Sequence, residues 1–120
     1  MVPISFKSKE TDASRIHPAI FQAIATAAWS VWATHGATEL VVTALRDGSH
    51  RPGSRHKQEI CTAVDLRSKG VGAMPREEDR VRAKEVLQSV LGPAFRVLLE
   101  NLGTPNEHIH VSYIADGQPA

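Results

Sequence analysis

A single cysteine, Cys61, excludes an internal disulfide and any metal site built from several thiolates. Aromatic residues make up only 5% of the 120, too few for a base-stacking surface. Neither sign of charge dominates: 14 Lys and Arg face 13 Asp and Glu, a formal net charge of +1. That balance supplies no field to gather nucleic acid or anionic lipid, so neither is expected as a partner. Long hydrophobic runs are missing too. The stretch from Pro18 to Thr34 has no charged residue, but it falls short of the roughly 20 apolar residues that a membrane span needs. Its polar residues Gln22, Thr26, Ser30 and Thr34 recur every fourth position and oppose an apolar stripe of Ile20, Ile24, Ala27, Ala28 and Val31. This is the pattern of a core helix and not of an integral membrane segment. Lys7, Lys9 and Arg15 upstream resemble the basic end of a signal peptide, but Glu10, Asp12 and the interspersed polar residues oppose that reading. Cytoplasmic synthesis without a signal is expected.

What is present fits one globular domain: 42% hydrophobic and 22% charged residues. Residues 1–15 read as an extended N-terminal arm, 16–116 as the domain and 117–120 as a C-terminal tail. Pro18 suits the first turn of a helix over 17–35, and Gly36 suits its end. Glu39 to Thr43 is rich in β-formers and reads as a strand. Residues 46–60 are polar and broken by Gly48, Pro52 and Gly53, a long loop of the kind that carries function. Thr62 to Leu66 reads as a second strand, and 68–74 as a glycine-rich loop. Pro75 and the acidic Glu77, Glu78 and Asp79 open a second helix. Ala83, Val86, Leu87, Val90 and Leu91 form its expected buried face, and Gly92 ends it. Phe95 to Leu99 alternates, as does His108 to Tyr113, giving the last two strands. The predicted fold class is α+β, a small antiparallel sheet packed under two main helices. No exposed apolar stripe calls for a dimer, so a monomer is expected.

The sequence holds six histidines, and the polar residues that could carry chemistry fall into three groups. They are the loop His50-Arg51-Pro52-Gly53-Ser54-Arg55-His56, the lone Asp65 in an apolar strand, and Glu107-His108-Ile109-His110. Alternation places His108 and His110 on one face of their strand while Ile109 and Val111 pack the other. His56, Asp65 and His110 would supply two nitrogens and a carboxylate oxygen, a ligand set that suits a catalytic zinc with one open position. Glu107 is then a candidate base for a metal-bound water. On a continuous strand, however, residues 107 and 110 face opposite sides. Glu107 reaches such a site only if the strand begins at about His108 and the chain turns at Asn106-Glu107. The same residues also read as surface histidines and as an ion-pair partner for an arginine. On that reading the chain is a plain α+β binding protein.

Ser54-Arg55-His56, Ala63-Val64-Asp65-Leu66-Arg67 and Glu107-His108-Ile109-His110-Val111 together resemble the signature of the zinc D-alanyl-D-alanine carboxypeptidase and dipeptidase family. That family includes VanX- and VanY-type enzymes, phage L-alanyl-D-glutamate endolysins and the hedgehog signalling-domain fold. The likeness spans residues 16–114 and implies a hedgehog-like α+β fold. It implies His56, Asp65 and His110 as zinc ligands, Glu107 as catalytic base, His108 as a site histidine able to bond an oxyanion, and Arg46 as a stabiliser of the tetrahedral intermediate. Ser54 matches a position that supports the loop or a ligand. The implied cofactor is Zn2+, and the implied substrate is a peptidoglycan stem peptide or a D-Ala-D-Ala-type peptide. The implied setting is a small phage-type enzyme reaching the cell wall after release. The sequence departs from the family at one place: Asp65 follows His56 by two residues more than is usual, with Glu59-Ile60-Cys61-Thr62 where a glycine is expected. A zinc-binding domain of this kind without turnover, serving a structural or interaction role, is the alternative.

Overall fold

The computed structural model describes residues 1–7, 16–46 and 62–114, apart from the side chain of Arg46. Five strands form one sheet: β1 (Ile4–Phe6), β2 (Leu40–Arg46), β3 (Ala63–Arg67), β4 (Phe95–Glu100) and β5 (His108–Tyr113). Their spatial order is β1-β2-β3-β5-β4. Two helical segments complete the α+β architecture. The first, α1 (Pro18–Thr26), continues through a π turn (Ala27–Trp32) and a 3-10 turn (Ala33–His35). The second is α2 (Glu77–Leu91). No helix among the described residues is long and apolar enough to cross a membrane.

The sheet is mixed, which corrects the expectation of an antiparallel one. Strands β2, β3, β5 and β4 pair antiparallel, but β1 runs parallel to β2 with Ile4 opposite Leu40. The reason is topological. The residues read as an extended arm enter the sheet at its edge, and α1 carries the chain back to begin β2 in the same direction, as a parallel pair requires.

The apolar stripe of α1 is buried as its period demands: Ile20, Ile24, Ala27, Ala28 and Val31 all lie in the core. His17 caps the helix, its Nδ1 accepting from the Ala19 N–H at 2.9 Å. The inner face of the sheet meets this stripe with Leu40, Val42, Val64, Leu66, Val97, Ile109 and Val111. Trp32 is fully buried, and its indole N–H donates to the Arg67 carbonyl at 3.2 Å, tying the π turn to the end of β3. Helix α2 buries Ala83 and Leu87 as expected, with Arg80 on the same face. Val90 departs from the expectation and is 56% exposed. The neighbouring Gln88 turns to the sheet end instead, donating to the Gly92 and Phe95 carbonyls and accepting from the Val97 N–H.

Helices thus cover one face of the sheet. The side chains of Asp65, Arg67, His108 and His110 belong to the other.

Candidate metal centre and its polar surroundings

Strand register builds the centre. Asp65 on β3 lies directly opposite His110 on β5, and Arg67 lies opposite His108. Residues two apart on a strand share a face, so this register brings one carboxylate and two imidazoles together. His110 Nδ1 meets Asp65 Oδ1 at 2.7 Å, and His108 Nε2 lies 3.8 Å from the same oxygen. Asp65 is 3% exposed. A carboxylate so deeply withdrawn from water is costly unless polar partners hold it. On the other side of β3, a bulge in β2 between Val42 and Ala44 sets Ala44 opposite Asp65. The Thr43 hydroxyl there donates to the Asp65 backbone carbonyl at 3.3 Å. Ser112, two residues beyond His110 on the same face, is buried, and its hydroxyl has no hydrogen-bond partner among the described residues.

His108 has an acceptor at each ring nitrogen. Nδ1 lies 2.9 Å from the Asn106 carbonyl and Nε2 lies 2.8 Å from Glu100 Oε1. Only the imidazolium can donate to both. Burial disfavours that cation, but the Asn106 carbonyl, Glu100 and Asp65 outweigh it and lift the His108 pKa above its ordinary value. Both ring nitrogens of His108 are thus engaged, and neither offers a free lone pair to a metal.

Glu107 is placed differently. The strand does begin at His108, but the Glu107 carboxylate accepts from Ser68 Oγ at 2.6 Å, from Arg80 Nε at 2.7 Å and from the Gly103 N–H at 3.0 Å. Arg80 also donates to the Met74 carbonyl at 3.2 Å. Both members of the Arg80–Glu107 pair are buried. Burial pushes the Glu107 carboxyl up, yet the Gly103 N–H, Ser68 and Arg80 prevail and hold it below the usual glutamate value. The structure thus brings Asp65, His108 and His110 together and turns Glu107 toward α2.

Arg46 is the last residue of β2 and pairs with Ala63 in the ladder. His56 lies outside the described residues, as do His50, Arg51, Ser54, Arg55 and Cys61. Among the described residues, no group of three His, Cys, Asp or Glu side chains is arranged to hold a metal ion. Asp65 and His110 are two of the three expected ligands, and the chain between β2 and β3 carries the third.

Sequence reasoning missed Arg80, Ser68 and Glu100. Arg80 left a signal, a cation three residues before Ala83 on an otherwise apolar stripe. Ser68 and Glu100 left none. No protein-family model, no curated protein and no solved structure matches the chain.

Proposed function

We propose that this chain binds zinc through His56, Asp65 and His110 and hydrolyses peptide bonds of peptidoglycan stem peptides, of the D-Ala-D-Ala or L-Ala-D-Glu type. It would do so as a monomer that reaches the wall after phage-type release. One observation carries the reading: Asp65 Oδ1 and His110 Nδ1 lie 2.7 Å apart across the β3–β5 ladder. An imidazole nitrogen and a carboxylate oxygen are donors that zinc accepts, and the proton these two share is the one a metal would displace. Zinc supplies polarisation of a carbonyl and a bound water of pKa about 7.

The surrounding residues support the chemistry to different degrees. In this reading His108, whose ring nitrogens now face the Asn106 carbonyl and Glu100, would turn one N–H to a developing oxyanion. The resemblance assigns Arg46 a similar part. Glu107 is the base in this reading, and to act it must first exchange its bond to Arg80 for one to water. Its present bonds to Arg80, Ser68 and Gly103 favour a second reading, a zinc-binding domain without turnover.

Zinc-loaded protein incubated with defined muropeptides and D-Ala-D-Ala dipeptides, read by mass spectrometry, separates the two. Hydrolysis by the unaltered protein, abolished in Glu107→Gln with zinc retained, is the expected result. Bound zinc without hydrolysis would leave the second reading, and absence of zinc would remove both.

A further inference from the structure

A cavity of about 410 Å³ opens beside Asp65 and His108, residues of the sheet face opposite the helices. Among the described residues, three Lys or Arg side chains line it: Lys7 just past β1, Arg67 at the end of β3 and Lys69 in the turn that follows. Thr43, Asn101 and Asn106 add neutral polar groups to its wall. Among the described residues, no carboxylate lies within 4.0 Å of the charged groups of Lys7, Arg67 or Lys69. The carboxylates on the same wall are engaged elsewhere, Asp65 with His110 and Glu107 with Arg80. Lys69 Nζ donates to the Gly103 carbonyl at 3.0 Å, which fixes its direction and leaves further N–H groups to donate.

Like charges converging on a concavity repel one another and focus a positive field into it. An anion relieves that repulsion. A guanidinium fork matches the paired oxygens of a carboxylate or phosphate, and ammonium groups add charge-assisted bonds. We propose that this cavity binds an oxyanion, a carboxylate or a phosphate group, through Lys7, Arg67 and Lys69. The site needs no metal, and its test is independent of the catalytic reading.

The test is a titration of the full chain, as purified and again after zinc addition, at low salt. The probes are inorganic phosphate, acetyl-D-alanyl-D-alanine and the C-terminal amide of that peptide, followed by backbone amide NMR shifts. Saturable shifts at Arg67, Lys69 and Asn106 are expected. Response to the free acid but not to its amide identifies a carboxylate as the ligand, and response to phosphate alone identifies phosphate. Arg67→Gln and Lys69→Gln should each weaken binding about tenfold, the loss of one charge-assisted bond. Lys7→Gln, a change at an exposed side chain, gives the same test without risk to the fold. Two outcomes overturn the proposal. One is an absence of saturable shifts with either anion. The other is equal affinity for acid and amide together with no response to phosphate.

Discussion

Arg80 and Glu107 occupy buried positions where apolar side chains are the rule, one on the inner stripe of α2 and one just before β5. Each is tolerable only because the other is there. Glu107→Ala leaves a buried guanidinium without its counter-ion and should cost about 3–5 kcal/mol of stability, measurable by urea unfolding. The pH dependence has a defined sign. Glu107 titrates below its ordinary value in the fold, so its contribution is complete above about pH 4.5 and fades as the pH falls through the folded value. Glu107→Gln should therefore flatten the acid limb of the stability profile. His108 acts oppositely. Its pKa is raised, so its contribution is complete below about pH 6.5 and is lost as the pH rises through the folded value. His108→Asn should flatten that alkaline decline. If the profiles of both variants match that of the unaltered protein, these electrostatic assignments fail. The sequence exposed half of the ion pair: Arg80 stands out on its stripe, but nothing in a linear pattern says which carboxylate across the fold will meet it.

At the scale of elements, legibility followed period. The fourfold recurrence of polar residues in α1 and the alternation in β4 and β5 placed both faces of those elements, since 3.6 and 2.0 are geometric constants of helix and strand. Irregularities were not legible. The π turn over Ala27–Trp32 keeps the same stripe inward while re-aiming Trp32 at Arg67, and no residue type announces it. Strand β2 runs to Arg46 because β3 supplies a pairing partner through that position, although local composition suggested an earlier end. The bulge at Thr43 and the parallel pairing of β1 likewise depend on neighbours distant in sequence. Gly36, by contrast, was legible as a helix end. It adopts φ of +92°, and an added Cβ would lie 3.2 Å from Pro75 Cδ. Gly36→Ala should cost about 1–2 kcal/mol through left-handed backbone strain and that crowding, seen as a lowered thermal midpoint. An unchanged midpoint would show that the turn relaxes freely.

Across the whole molecule, the helices cover one sheet face and leave the other to a polar centre where β3 and β5 meet. Alternation predicted that His108 and His110 would share a side, and the fold supplied the register that sets Asp65 against His110. The displacement of Glu107 toward α2 was foreshadowed by the same alternation, which set residues 107 and 110 on opposite sides. The likeness to zinc peptidases pulled the other way. His56 lies outside the described residues, so the ligand set is completed from sequence. The most direct test is calorimetric zinc titration of protein carrying no histidine tag. One zinc per chain is expected, and His56→Ala, Asp65→Asn and His110→Ala should each weaken it by more than about a hundredfold, beyond the loss typical of residues that only support a ligand. Failure to bind zinc, or unchanged affinity in His56→Ala, would contradict the account.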